Sequence, residues 1–474
     1  MTDLSDRKST HRGYAARHKV RFVTAAGLFD GHDASINIVR RILQASGAEV
    51  IHLGHNRSVD EIVTAALDED VQGIAISSYQ GGHVEFFKYM IDLLRGRDGN
   101  ARGGAHIKVF GGGGGVIVPA EIAELHAYGV TRIYTPADGA RMGLQGMIND
   151  MLAACDFDPA AFAPVDIDEV ARGNRRALAS LISALANATL DQKTRRQLTE
   201  RACAVKSVSV LGITGTGGSG KSSLTDELVR RLRLDQRDRL KIALIAIDPS
   251  RRKSGGALLG DRIRMNAIHS PNIYMRSLAT RSSAADAGSE IAACVPDVIA
   301  ACKLAGFDLI MIETSGIGQG NAGIVPLVDV SLYVMTPEYG AASQLEKIDM
   351  LDFASLVAIN KFDRKGGLDA LREVRKQVQR NREAFGQSPD EMPVFGTIAA
   401  RFNDDGVTAL YQALKLELAE HGLKLAAGAL APVKVRASSG DTAIVPPART
   451  RYLAEIAAAV RAYHLSARAQ SQLA

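Results

Sequence analysis

Residues 208–222 read Val-Ser-Val-Leu-Gly-Ile-Thr-Gly-Thr-Gly-Gly-Ser-Gly-Lys-Ser. The first six are mostly apolar and β-branched, which predicts a strand. The rest fits G-x-x-x-x-G-K-[ST] in full, from Gly215 to Ser222. Glycines let successive backbone N–H groups curl around a phosphate, Lys221 neutralises charge on the β and γ groups, and Ser222 reaches Mg²⁺. A helix starting near Lys221 adds its N-terminal dipole. A strand before and a helix after separate this loop from a flexible Gly-rich linker. Gly218, Ser219, Gly220, Lys221, Ser222 and Ser223 are therefore the candidate nucleotide contacts, in an α/β layer whose ligands sit beyond the strand ends.

Downstream, an apolar strand at 242–247 ends in Asp248-Pro-Ser, and another at 307–312 ends in Glu313-Thr-Ser-Gly. Two carboxylates at strand tips beside a phosphate loop stand where Mg²⁺ needs oxygen ligands. The strand at 356–359 ends in Asn360-Lys361-Phe-Asp363. This is similar to the N-K-x-D signature by which GTPases recognise guanine, so GTP is favoured over ATP. Between the metal tips lies 250–265, Ser-Arg-Arg-Lys-Ser-Gly-Gly-Ala-Leu-Leu-Gly-Asp-Arg-Ile-Arg-Met. Its Gly pair and clustered cations predict a mobile loop that senses the γ-phosphate. The run from 207 to 397 resembles the GTPase chaperone that accompanies methylmalonyl-CoA mutase, a relative of the metal-insertion and signal-recognition GTPases. It carries D-P-S, G-G-x-x-x-G-D-x-x-R-M, E-T-x-G-x-G-Q and N-K-x-D in order. The resemblance implies Mg²⁺ ligation by Ser222, Asp248, Asp261 and Glu313, with Thr314 nearby and Arg264 near the nucleotide. Lys221 and Glu313 are the candidate catalytic residues. Thr397-Ile-Ala-Ala400 stands where the family has its guanine-side Ser-Ala element.

Towards the N-terminus, strand, loop and amphipathic helix repeat five times from residue 19. Strands are expected at 20–25, 49–53, 73–77, 107–110 and 131–134, with helices such as 58–68 and 84–94 between them. This alternation predicts a flavodoxin-like or Rossmann-like parallel sheet. Asp30-Gly-His32 follows the first strand. A lone His in such a loop is ordinarily a capping or solvent-facing residue, but Asp30 can hold one imidazole nitrogen and sharpen the other as a metal ligand. Ser77-Ser-Tyr and five consecutive glycines at 111–115 sit at other strand tips. Such a glycine run costs conformational entropy, so something bulky is expected against it. A layer that binds FMN, or nothing, is the plainer alternative. The domain resembles the cobalamin-binding domain of adenosylcobalamin mutases, whose signature is D-x-H-x-x-G. That resemblance implies His32 as the lower cobalt ligand, Asp30 as its partner and Ser77 as a contact to the displaced benzimidazole. Gly111, Gly112 and Gly113 would wall the cleft for the nucleotide tail. Ser35 stands where the signature has Gly.

The expected organisation is an N-terminal segment (1–18), a cobalamin-binding domain (19–153), a helical linker (154–206), a P-loop GTPase domain (207–421) and a C-terminal tail (422–474). The arginines of the linker's predicted helix at 170–201, Arg172, Arg175, Arg176, Arg195, Arg196 and Arg201, read as a solvated basic face. At roughly 100–200 residues per domain, 474 residues exclude a lone small module. Charge of +5, from 57 basic and 52 acidic residues, gives no nucleic-acid footprint. Four cysteines without a CxxC pair suit a reduced compartment, and no run approaches the ~18 apolar residues of a membrane span. A cytoplasmic protein with no membrane or nucleic-acid partner is expected. Gly is in excess, 45 against 14 Pro, which suits many tight strand-to-helix turns.

Cobalamin module followed by GTPase module resembles the fused isobutyryl-CoA mutase family, in which a substrate-binding barrel follows. Residues 422–474 fall far short of the ~250 residues of such a barrel. The expectation is a truncated portion of a longer chain, or a homodimeric module serving a separate acyl-CoA mutase substrate-binding subunit. Adenosylcobalamin, GTP and Mg²⁺ are the expected cofactors, with GTP hydrolysis gating cofactor loading. The alternative is a GTP-switched corrinoid carrier or cobalamin sensor without isomerase activity.

Overall fold

The computed structural model describes residues 13–95, 103–205, 208–251, 254–280, 291–316, 322–440 and 451–473. Most of the expected N-terminal segment, Ser207, the Ile-Gly-Gln end of E-T-x-G-x-G-Q, and 441–450 with Pro446 and Pro447 lie outside them.

In the first domain, strands β1 (Arg21–Gly27), β2 (Glu49–Arg57), β3 (Gly73–Ser77), β4 (Lys108–Gly112) and β5 (Arg132–Tyr134) run parallel in the order β5-β4-β3-β1-β2. Helices α1 (Ala34–Ala45), α2 (Val59–Asp68), α3 (His83–Arg95), α4 (Pro119–Tyr128) and α5 (Pro136–Cys155) connect and follow them. All seven residues of β1 are buried, as a parallel strand covered on both faces requires. Its side chains alternate. Val23 and Ala25 join Ile62, Phe87 and Ile91 of α2 and α3, whereas Phe22 joins Ile36, Leu43, Ile148 and Leu152 of α1 and α5. Ser58 and Glu61 form a capping box that starts α2, which fixes where β2 ends and the helix begins.

The linker region folds as three helices, α6 (Ile167–Ala171), α7 (Arg175–Asn187) and α8 (Gln192–Cys203). The predicted single helix breaks because Asn174 and Asp191 cap new N-termini. These helices are core: Leu178, Leu181, Ile182 and Leu185 pack with Val295, Val298 and Ile299.

The second domain supplies β6 (Ser209–Gly215), α9 (Lys221–Gln236), β7 (Ile242–Pro249), β8 (Ala257–Leu259), β9 (Ile273–Thr280), α10 (Val295–Leu304), β10 (Leu309–Glu313) and β11 (Val330–Met335). The short α11 (Ala342–Leu345) and α12 (Met350–Phe353), then β12 (Leu356–Asn360), α13 (Gly367–Asn381), β13 (Val394–Thr397) and α14 (Asp405–Glu420) complete it. Its sheet has the order β13-β12-β11-β6-β10-β7-β9, parallel throughout. Residues beyond α14 return along the domain: Leu430 N donates to Asp235 Oδ1 at 2.9 Å, and Ser438 N to Gly396 O at 3.0 Å. Helix α15 (Tyr452–Leu473) has no buried residue.

One strand leaves its domain. β8 pairs parallel with β2, Glu49 opposite Ala257 and Ile51 opposite Leu259, as the sixth strand of the first sheet. Of the segment expected to be a mobile loop, Arg252 and Lys253 lie outside the described residues, and 257–259 are held in place, because Ala257 and Leu259 bury against one face of the first domain's sheet and Leu258 against the other.

Buried charge also joins the domains. Asp68, Glu69 and Asp70 end α2 and its turn. Arg175 Nη2 donates to Asp68 at 2.8 Å, Arg176 pairs with Asp70 at 2.6 Å, and Glu69 receives Arg21 at 2.8 Å and Arg262 at 3.2 Å. Arg175 and Arg176 therefore depart from the solvated face expected of them. Arg172 and Arg201 keep that role, with exposed partners Glu169 and Asp168.

Candidate functional site

Two sites form at carboxyl ends of strands, one in each sheet. In the second domain, β6 delivers the phosphate loop and α9 starts at Lys221. Gly220 is left-handed, with φ 85°, and a Cβ there would lie 2.6 Å from Asn360 Nδ2. Only glycine allows the loop to turn this close to the N-K-x-D strand. Lys221 Nζ donates to the Gly215 and Thr216 carbonyls at 3.0 and 3.2 Å, across the loop's own bowl. Ser223 lies in the first turn of α9.

Ser222 Oγ lies 2.7 Å from Glu313 Oε1 and 3.0 Å from Asp261 Oδ1. A hydroxyl has one proton to give, so one of these contacts needs a protonated carboxyl or a cation between the oxygens. Asp248 Oδ2 and Glu313 Oε2 are buried without a hydrogen-bond partner among the described residues. Burial, then the charges of Asp261 and Glu313, raises the Asp248 pKa; burial, then Asp261, raises that of Glu313. Orphaned, mutually repelling oxygens fit a divalent cation. Among the described residues no three His, Cys, Asp or Glu close into a cage by themselves. Ser222, phosphate oxygens and water would complete the shell, as Mg²⁺ prefers.

Thr314 does not join this cluster, because its hydroxyl donates to Thr214 Oγ1 at 2.9 Å. Arg264 is exposed at the cluster's edge, 3.7 Å from Asp261 Oδ1. On the base side, Asn360 Nδ2 donates to Ser219 O at 2.8 Å, and Lys361 Nζ to Gly218 O at 2.7 Å. Asn360 Oδ1 accepts from Ala399 N at 3.0 Å and from Thr397 Oγ1 at 3.3 Å. The Thr397 segment is thus brought onto the N-K-x-D strand, and Asp363 stays exposed.

In the first domain, β1 leads to Asp30, whose carboxylate is buried. Oδ1 accepts from His32 N at 2.8 Å and lies 2.9 Å from His32 Nδ1; Oδ2 accepts from Tyr79 N at 2.6 Å. Burial alone would raise the Asp30 pKa, but the Tyr79 and His32 amides outweigh it and hold the group below its ordinary value. An ionised carboxylate at Nδ1 puts the ring proton there and leaves Nε2 with its lone pair. The imidazole is 72% exposed, so that lone pair is offered outward. Ser77 Oγ donates to His32 O at 3.3 Å, and Ser35 Oγ lies 2.8 Å from Tyr79 OH.

Ser77 and Tyr79 also line a largely apolar groove of about 360 Å³, between the sheet and helices α1 and α5, with Ile36, Val39, Phe110 and Met147 in its walls. Gly111 to Gly114 line it too, but for a different reason from the one expected. A Cβ on Gly111 would meet Phe87 and Ile133, on Gly113 the Ser78 carbonyl at 2.3 Å, and on Gly114 the Tyr79 ring. Protein packing demands those three. Gly112 alone of the four has an open side-chain direction, only Tyr134 O lying within 4 Å of its Cβ position, at 3.7 Å.

Reading the sequence did not single out Tyr79 as the donor that fixes Asp30, nor the acidic run 68–70. Three carboxylates at a helix C-terminus oppose its dipole, and that was the available signal for a cationic partner.

Comparison with known proteins gives a family for each domain. Residues 178–439 match the family described as methylmalonyl-CoA mutase-associated GTPase MeaB, and residues 20–144 match the B12 binding domain. The chain is 67% identical to a fused isobutyryl-CoA mutase of Cupriavidus metallidurans, aligned over all of this chain and 43% of that protein. It is 52% identical to one of Paraburkholderia xenovorans, over all of this chain and 46% of that protein. A putative GTPase of Pyrococcus horikoshii is 32% identical, over 53% of this chain and 77% of its own. The chain thus spans less than half the length of the fused mutases it matches. With a family match across more than half its residues, the chain belongs to the methylmalonyl-CoA mutase-associated GTPases, carries a B12-binding domain ahead of its GTPase domain, and is homologous over its whole length to fused isobutyryl-CoA mutases.

Proposed function

We propose that the chain is the adenosylcobalamin-binding and GTP-hydrolysing portion of an acyl-CoA mutase, interconverting isobutyryl-CoA and n-butyryl-CoA once a substrate-binding domain or subunit is supplied. In this reading the nucleotide state gates cofactor loading. One observation carries it: an imidazole held by Asp30, with Nε2 outward, opens beside an apolar groove on the same chain as a complete phosphate loop, strand-tip carboxylates and N-K-x-D motif.

His32 would ligate cobalt through Nε2, with Asp30 fixing tautomer and orientation, and the groove beside Ser77 and Gly112 would hold the cofactor's nucleotide tail. Bound adenosylcobalamin would supply a homolysable cobalt–carbon bond, and hence a radical. Mg²⁺ would be held by Ser222, Asp248, Asp261 and Glu313. Lys221 gives up its loop carbonyls to neutralise the β/γ-phosphate oxygens, and Glu313 orders the γ-phosphate side of the site. Asn360 braces the phosphate loop while Asp363 accepts from guanine N–H groups. The working assembly is proposed as a cytoplasmic homodimer without nucleic-acid or membrane partners; among the described residues no helix is long and apolar enough to cross a membrane.

The test supplies adenosylcobalamin, GTP, Mg²⁺, a substrate-binding mutase domain and isobutyryl-CoA, and measures n-butyryl-CoA together with GTP hydrolysis. Product that depends on this chain supports the reading. Cobalamin binding and GTP hydrolysis without product would make the chain a GTP-switched corrinoid carrier.

A further inference from the structure

Residues 254–262 run from the carboxylate cluster to the C-terminal end of helix α1. At one end, Asp261 meets Ser222 at 3.0 Å. The next residue faces the other domain: the buried Arg262 guanidinium donates to Glu69 Oε1 at 3.2 Å, Met275 O at 3.0 Å and Asp68 Oδ2 at 3.4 Å. Immediately upstream, β8 is paired with β2. Further upstream still, the segment meets the last turn of α1, the turn after it and the residue that leads into β1. Ser254 Oγ donates to Gln44 O at 3.1 Å, Ala257 N to Ala48 O at 3.2 Å, and Lys19 Nζ to Gly255 O at 2.9 Å. Gly256 lies so close that a Cβ would fall 2.1 Å from Gln44 O.

Helix α1 is a wall of the apolar groove, through Ile36, Ile38, Val39 and Ile42. Four residues, the strand β8 and Gly260, therefore separate Asp261 from Gly256, which packs on the last turn of the helix that shapes the groove. An extended strand in register transmits a displacement along its length better than a loop does, because its pairing and its inward side chains fix it at every residue. The ion pairs at Arg262 fit the same role: buried charge adds little net stability and its best-attested use is to hold register.

We propose that residues 254–262 are the link through which nucleotide and Mg²⁺ at Asp261 set the closure of the cobalamin groove, by way of β8 on β2 and the contact with the last turn of α1. This rests on the reading given under Proposed function. A ligand shifts such an equilibrium only by binding its two states differently. Mg²⁺ with a γ-phosphate at Asp261 supplies that difference. Coupling between two binding sites is also reciprocal.

The test uses the full chain and its Gly256→Val variant. Adenosylcobalamin affinity is measured with and without a non-hydrolysable GTP analogue and Mg²⁺, and analogue affinity with and without adenosylcobalamin. The expected wild-type result is equal factors in both directions, about 5–150-fold. In Gly256→Val, each ligand should still bind alone, with the coupling factor falling to within about twofold of one. Retention of full coupling in the variant, or a wild-type factor of one with both ligands bound, would overturn the link. Failure of the wild-type chain to bind adenosylcobalamin at all would instead sink the function proposed above. Amide exchange in the wild-type chain gives a second measure, independent of whether the variant folds. Protection at 49–51 and 257–259 should change on adding the analogue with Mg²⁺, and unchanged protection would also overturn the link.

Discussion

The Asp30 carboxylate holds His32 Nδ1 at 2.9 Å through one oxygen and the Tyr79 amide at 2.6 Å through the other. One buried anion thus ties the imidazole to the loop after β3. Its effect on a metal at Nε2 is through basicity and orientation, and loss of such a partner commonly costs 10–100-fold in metal affinity. We expect His32→Ala to abolish the visible-spectrum change that accompanies imidazole replacing benzimidazole on cobalt. Asp30→Asn should weaken cobalamin binding by about 10–100-fold while that spectral change survives at saturation. Both variants should hydrolyse GTP at close to the wild-type rate. An unaltered spectral titration in His32→Ala would remove His32 as the ligand.

Lys221 is the only cation that the phosphate loop's own motif supplies, and its contacts with Gly215 O and Thr216 O place it across the bowl. Electrostatic stabilisation at a transferring phosphoryl group is commonly worth two to three orders of magnitude. Lys221→Ala should therefore lower GTP hydrolysis by at least about 100-fold while leaving the cobalamin titration unchanged. Loss of both would mean that the substitution disturbs the fold and not the chemistry alone.

Strands with a continuous apolar run were legible in the sequence, since a parallel strand buried on both faces needs little else: β3 falls at the expected residues, and β1, β2, β6, β7, β10 and β12 within a few. β9, with Arg276 buried among its side chains, and the short β13 give no comparable run. What could not be read was partnership. Ala257-Leu258-Leu259 is too short to announce a strand, and only the exposed edge of β2 gives it one. Arg175 and Arg176 look like any surface arginines until the acidic turn at 68–70 is folded against them. The glycine run at 111–115 suggests a ligand against it, yet periodicity does not say that Gly113 backs onto the Ser78 carbonyl.

Asp248 and Glu313 have pKa values raised by burial and by neighbouring carboxylates. For groups raised in the folded state, the stabilising contribution is complete below their unfolded values and is lost as pH rises through the folded ones. In EDTA, the melting temperature of the chain should therefore fall from about pH 4.5, just above the unfolded values, to about pH 8, and Asp248→Asn should flatten that fall by removing one charge. Mg²⁺ with GDP should reverse it in the wild-type chain by neutralising the cluster, and should release protons on binding, measurable as a dependence of the calorimetric heat on buffer ionisation enthalpy. A melting temperature indifferent to both pH and Mg²⁺ would remove these carboxylates as the cation site.

Glu69 is fully buried and receives Arg21 at 2.8 Å, Arg262 at 3.2 Å, and the Ser277 amide and hydroxyl at 3.0 and 2.9 Å. Replacing a whole buried ionic cluster by apolar groups is often neutral, but removing one member strands the others. Glu69→Ala leaves Arg21 and Arg262 without this anion at the junction of the two domains, so a loss of about 3–5 kcal/mol is expected in denaturant unfolding. Arg172→Ala, which breaks an exposed pair with Glu169, should stay within about 0.5 kcal/mol of the wild type. The two domains should also report together. If Glu69 joins them as the contacts indicate, its loss shifts the unfolding midpoints of both, read by cobalamin release for the first and nucleotide release for the second. A shift confined to cobalamin release would make Glu69 an internal prop of the first domain alone.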